Sequence, residues 1–226
     1  MRKYFSTYFL FAARHSSLLA CEIETTHEGE SHLDIEHRGH VLSSILASAA
    51  FLESNINEVF QDVYDQHQSS AGSLSTETSR VVAELWNSTD NGAKMRLLDK
   101  YQMILVLGGH KPLERGAQPY QDTALVLRLR NALAHFQPEN LSAEEQHRMA
   151  DQLRRKFPEN RLMAGSGNPS WPDHALGHGC AEWALHSVKV LADHVMKTIG
   201  IETNYMRHEK TGWLTPNRRR SHTLPE

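Results

Sequence analysis

Arg130, Asn131 and His135 are the residues whose types and spacing could do chemistry. They lie in an otherwise apolar stretch, Leu127-Arg128-Leu129-Arg130-Asn131-Ala132-Leu133-Ala134-His135-Phe136. An imidazole can move a proton near neutral pH, and a guanidinium can hold two oxygens of an anion in a fork. On a regular helix, residues five apart differ by about 140° in direction, so Arg130 and His135 do not share a face. They converge only if the last helical turn unwinds, which Pro138 encourages, or if a second subunit supplies the missing partner. The plain alternative is a helix end whose arginine pairs with a carboxylate while the histidine caps last-turn carbonyls.

Other polar clusters are weaker candidates. His27, His32, His37 and His40 form the densest group among 15 histidines. His37 and His40 could present two imidazoles on one helical face, but no acidic or Cys partner has a metal-site spacing. Capping or solvated histidines are expected there, and no metal site is assigned. His178 and Cys180, two apart on a helix, would point about 200° away from each other, which argues against a thiol–imidazole dyad. Glu53 and Asn57, one turn apart, read either as a polar pair supporting the motif or as the wet edge of a helix. Arg148, Arg154, Arg155, Lys156 and Arg161 follow the motif. With Arg128 they could track a nucleic-acid backbone, or be a solvated face balanced by Glu144, Glu145 and Asp151.

The elements that must position these residues read as helices. Apolar positions recur at three- and four-residue steps from 34 to 64, giving a long amphipathic helix. A polar Gln/Ser/Gly stretch over 66–75 reads as a loop. A second helix opens near Ser75-Thr76 and carries Val81, Val82, Leu85 and Trp86. A third runs from 93 to Leu105 and stops at Gly108-Gly109. The motif helix spans about 122–135, because Pro138 disfavours helical geometry at Gln137. A capping box at Ser142-Ala-Glu-Glu145 predicts a fifth helix through Phe157, and the last helix covers about 174–199. The first twenty residues fit helix or strand. Residues 1–33 are expected to pack on a helical domain over 34–200, with a flexible basic tail over 201–226 that includes Arg218, Arg219 and Arg220.

Composition sets the class. The chain has 226 residues, 39% hydrophobic and 23% charged, with a net charge of −3. That is enough apolar content for a core and rules out a molecule that is basic throughout. Mean hydropathy is −0.53 and no 18-residue apolar run occurs, so no membrane-spanning helix and no membrane partner is expected. Arg2-Lys3 ahead of Tyr4 to Ala13 imitates a signal peptide, and Leu18-Leu19-Ala20-Cys21 imitates a lipoprotein cleavage site. Arg14 and His15 interrupt that apolar stretch, so an amphipathic segment is expected instead. Cys21 and Cys180 cannot make a disulfide framework, which makes a cytoplasmic location the default.

At Arg130-Asn131-x3-His135 the sequence resembles the HEPN superfamily, whose signature is an arginine, a polar residue and a histidine at the end of a core helix. The helix over 41–60, with Leu52-Glu53 and Ile56-Asn57-Glu58, and the late Gly179-Cys180-Ala181-Glu182-Trp183-Ala184 segment also resemble that family. The likeness covers most of 41–199. It implies an all-α, up-and-down bundle of about five to six helices. It further implies a metal-independent, cofactor-free endoribonuclease acting as a homodimer on RNA through a composite cleft. In that scheme His135 takes the proton of the attacking 2′-hydroxyl, Arg130 holds the pentacoordinate phosphorane, and Asn131 orients the arginine or the phosphate. Toxin–antitoxin or phage-defence biology, with an antitoxin protein as partner, is the corresponding setting. Where some toxin members carry a tyrosine two positions after the histidine, this chain has Gln137. A non-catalytic helical module of the same kind, binding nucleotides, RNA or a partner protein, is the alternative.

Overall fold

The computed structural model describes residues 2–67, 74–137 and 147–211. Their only regular secondary structure is helical, with no strand among them. The expectation of an all-α chain is met at that level.

Helix α1, Ser6–Thr26, resolves the helix-or-strand ambiguity of the first twenty residues. Its buried seam is Ser6, Leu10, Ala13, Ser17, Ala20 and Glu24, spaced at three and four. Helix α2, Ile35–Tyr64, starts where Asp34 accepts a hydrogen bond from the His37 amide at 2.7 Å. The two run antiparallel, with the Ser44 hydroxyl donating to the Ala13 carbonyl at 2.9 Å midway along. Small inward side chains on α1 permit that close approach.

Helix α3, Thr76–Ser88, is capped by Ser75, as its sequence predicts. Helix α4, Leu97–Leu107, ends at Gly108-Gly109, with Gly109 at a φ of 80°. Helix α5, Tyr120–Ala134, is the motif helix and ends at its predicted position. Helix α7, His178–Thr198, starts four residues later than expected, after a wide turn over Ser170–His174. Helix α2 packs on α1, α3, α4, α5 and α7, so it is the central element. Phe51, Leu52, Ile56 and Phe60 of α2 are fully buried among Tyr101, Ile104, Leu129 and Val188.

Two expectations are corrected. The helix expected to run through Phe157 is, among the described residues, only α6, Arg148–Leu153, because Arg154 leaves helical geometry and Arg155 adopts a φ of 62°. The Ser142 capping box lies outside the described residues, as do Arg218, Arg219 and Arg220. The stretch expected to begin a loose tail at 201 instead buries Ile201 and forms α8, Asn204–Lys210. Tyr205 meets Phe51 edge to face at 4.9 Å and donates its hydroxyl hydrogen to Asp193 at 2.8 Å.

One carboxylate ties three helix ends. Glu24, buried near the end of α1, accepts the His37 Nε2–H at 2.9 Å and the His178 amide at 2.6 Å, the latter at the start of α7. Burial alone would raise the Glu24 pKa, but these bonds and the facing imidazoles outweigh it and hold the pKa below the ordinary value. Glu58 plays the corresponding part at the other end, accepting the Phe5 and Ser6 amides at 2.6 and 2.8 Å. There burial wins, and its pKa is raised.

The two carboxylates therefore act on stability with opposite sign. Glu24 contributes stability that is present above its unfolded pKa and lost as pH falls through its lower folded value. Glu58 binds its proton more tightly folded than unfolded, so its effect weakens the fold as pH rises through its raised pKa. Glu24→Ala is expected to cost about 3–5 kcal/mol and to flatten the acid side of the stability profile. Glu58→Gln should change the profile in the opposite sense; thermal melts between pH 3 and 8 check both. Gly177→Ala should also destabilise, since a Cβ there would sit 2.6 Å from Asn160 Cα and 2.8 Å from Glu24 Oε1.

Candidate functional site

Helix α5 is placed by its apolar stripe, with Val126 and Leu129 fully buried. The Thr123 hydroxyl anchors it by donating to the Ser187 carbonyl of α7 at 3.0 Å. Arg130 flanks that stripe and is half-buried, turned toward α2, where its Nη2 lies 4.0 Å from Glu53 Oε2. Asn131 and His135 are exposed. His135 is the residue that closes the helix, its amide donating to the Asn131 carbonyl at 3.0 Å.

The last turn therefore does not unwind before His135. Arg130 and His135 keep directions about 140° apart, and no hydrogen bond joins them among the described residues. Asn131 and His135, four apart, share a face instead. One chain brings Arg130 to Glu53 and pairs Asn131 with His135 in direction; it does not assemble all three around one point.

Glu53 and Asn57 do not pair with each other. Each faces a cation: Glu53 faces Arg130, and Asn57 Oδ1 accepts from Lys100 Nζ at 2.7 Å. Lys100 is buried, its Nζ 5.4 Å from the centre of the Trp86 ring. Burial lowers its pKa while the nearby Glu53 charge opposes the shift. Sequence reasoning missed Lys100, although its signal was present: it occupies the inward stripe of α4 between Leu97 and Ile104.

The basic residues after the motif are divided in role. Lys156 is committed to the fold, bonding Asp122 in the first turn of α5 at 2.7 Å. Partial burial would raise the Asp122 pKa, but the hydrogen bond and charge of Lys156 help to outweigh it, and the pKa is lowered. Asp122 lies eight residues before Arg130, about 12 Å along the helix axis, so Lys156 is near the opposite end of α5 from His135. Arg154 pairs with Asp151 at 2.9 Å, while Arg128 and Arg155 are exposed.

The remaining clusters serve the fold. Cys180 is buried and its thiol is pushed well above the usual value by that burial. His178 Nδ1 lies 3.0 Å from the Ser17 carbonyl. Among the described residues no group of three or more His, Cys, Asp or Glu is gathered to hold a metal ion, and no helix is long and apolar enough to cross a membrane. Two clefts, of about 600 Å3 beside Tyr64 and Ser79 and about 390 Å3 beside Glu58 and Trp86, do not include Arg130 or His135.

The chain matches no family model, no curated protein and no solved structure. Its chemistry must be inferred from its own residues.

Because the Arg130–Glu53 contact is long and half-exposed, Glu53→Gln should change unfolding free energy by less than about 1 kcal/mol. Lys100→Met should cost more, about 1–3 kcal/mol, because it removes the donor from the half-buried Asn57 oxygen. Denaturant titration of the two variants measures the contrast.

Proposed function

We propose that the chain is a metal-independent endoribonuclease of HEPN type, working as a homodimer in a cytoplasmic toxin or phage-defence setting, with an antitoxin protein as its restraint. The observation that carries this reading is that the fold leaves the motif available. Among the described residues, His135 is exposed and makes no side-chain hydrogen bond, and Arg130 has only its 4.0 Å approach to Glu53. A purely structural helix end would be expected to engage both.

In the proposed reaction, His135 takes the proton of a ribose 2′-hydroxyl. The freed oxygen attacks the adjacent phosphorus, and the bond to the 5′-oxygen breaks as that oxygen gains a proton. The products are a 2′,3′-cyclic phosphate and a 5′-hydroxyl. Arg130 stabilises the charge that gathers on the phosphorane oxygens, and Asn131 holds the phosphate beside His135. Since Arg130 and His135 diverge in one chain, the arginine acting on a given phosphodiester comes from a second copy. Arg128 and Arg155, both exposed, are available to the RNA backbone, whereas Arg154 and Lys156 are already paired within the chain.

The test is incubation of a generic RNA in EDTA with the full chain, His135→Ala and Arg130→Ala. Cyclic-phosphate products from the wild type, reduced about 10²- to 10⁴-fold in each variant, are expected. DNA should be bound without being cut, because it lacks the attacking hydroxyl. Full activity in His135→Ala would refute the scheme. RNA left intact by the folded wild type would favour the non-catalytic module, which binds RNA, nucleotides or a protein through the same surface.

A further inference from the structure

The motif arginine stands at one end of a polar stripe on α2. Glu53, Asn57, Gln61 and Asp65 follow at four-residue steps, and each faces a donor from a different part of the chain. Glu53 faces Arg130 of α5, and Asn57 Oδ1 takes Lys100 of α4 at 2.7 Å. Gln61 takes the Trp86 indole of α3 at 2.9 Å, and Asp65 takes Arg2 at 2.7 Å. Asn57, Gln61 and Asp65 also line the cleft of about 390 Å3, together with Arg2, Lys3 and Glu58. Glu53 is one turn from Asn57, so the cleft begins about 6 Å along α2 from the place where Arg130 is held.

The cleft has spent its acceptors and kept its donors. Glu58 accepts the Phe5 and Ser6 amides and, at 2.6 Å, the Ser6 hydroxyl. Asp65 accepts from Arg2 and from the Gln61 amide, and the Gln61 oxygen accepts from Trp86. Against these, Asn57 Nδ2, Arg2 Nη2 and the Lys3 ammonium make no hydrogen bond among the described residues. The amide of Asn57 has its direction fixed. An ammonium only donates, so Asn57 turns Oδ1 to Lys100 and leaves Nδ2 for the cleft. The lining charges balance, Arg2 and Lys3 against Glu58 and Asp65, so a bare anion finds no net attraction there.

We propose that this cleft is a base subsite for the RNA strand held at Arg130, and that it selects uracil. Uracil offers two carbonyl oxygens and a single ring N–H. Guanine, adenine and cytosine each bring an amino group, for which the cleft has no unspent acceptor. Asn57 Nδ2 donates to the uracil O4, and Lys3, exposed at the rim, meets the phosphate beside that base. Asn57 is thus the residue that determines specificity, and Lys100 is the positioning residue behind it. The subsite takes its ligand, RNA, from the ribonuclease reading above, and needs only that RNA binds, not that it is cut.

Fluorescence anisotropy on the full chain carrying His135→Ala, with short labelled oligouridine and oligocytidine, tests this beside RNA cleavage by the wild type. Oligouridine should bind about tenfold tighter than oligocytidine. Asn57→Asp keeps an oxygen for Lys100 and replaces the donor by an acceptor, so it should reverse the preference toward cytosine while the thermal melt stays in place. Lys3→Gln should weaken both RNAs alike and reduce the salt dependence of binding. Equal affinity for the two RNAs, or a uracil preference that survives Asn57→Asp, would overturn the subsite; cleavage by the wild type would then leave the ribonuclease reading standing. A preference reversed by Asn57→Asp, with no cleavage by the wild type, would uphold the subsite and overturn the ribonuclease. Binding of neither RNA would overturn both.

Discussion

A buried carboxylate in the last turn of α1 sets the positions of the other helices. The residue before α7 is Gly177, which has no side chain to cap the new helix. Glu24 reaches across the chain to accept the first amide, and the same oxygen accepts the Nε2–H of His37 from the first turn of α2. A charge removed from water is costly unless hydrogen bonds replace its hydration. Here two donors and the positive end of α7 do so. At its own helix's carboxyl end a glutamate is unfavourably placed; facing the amino end of α7 it is favourable. The arrangement is stable only when all three helices are in position, so it rewards the complete fold.

From that junction the path to the motif is short. The α1–α2 pair is held in register at both ends, by Glu24 with His37 and by Glu58 with the α1 amides. Helix α7, fixed at its start by Glu24, carries the Ser187 carbonyl that receives Thr123 of α5. Leu129 then fills the core and leaves Arg130 beside Glu53 on α2. The direction of Arg130 is thus a consequence of how α5 packs on α2 and α7, while His135 is governed only by where α5 stops.

Local signals made much of this legible in the sequence. The long helix and the one that opens at Ser75 begin about where the apolar pattern places them, Gly108-Gly109 stops α4, and α5 ends at the predicted position. Those features depend on a few adjacent residues. The first helix was ambiguous for a physical reason: its inward seam is partly polar and its outward face aromatic, so hydrophobic periodicity gives no clear inside. Ser44 to Ala13 and Glu58 to Ser6 are bonds between distant parts of the chain, and no window of sequence contains both partners. Lys100 escaped notice for the same reason, because only Asn57 and Trp86, on two other helices, make a buried ammonium tolerable. Tyr205 reads as part of a polar tail until Phe51 and Asp193 are seen to enclose it.

The motif was the reverse case, since its residues were conspicuous and their arrangement was not. Spacing alone allowed Arg130 and His135 to converge if α5 frayed. The bond from the His135 amide to Asn131 shows that it does not fray, and it puts Asn131 and His135 on one face with Arg130 rotated away. On the proposed reading this sorts the labour. One chain offers the proton-moving imidazole with a neutral polar neighbour, and a guanidinium arrives from outside. That division has a chemical merit. A cation fixed beside the imidazole would disfavour its taking a proton, whereas one delivered by a second chain with the substrate between them meets the phosphorane charge as it forms. A lone copy would then hold the parts of the reaction without performing it, and association would be what turns them into a site.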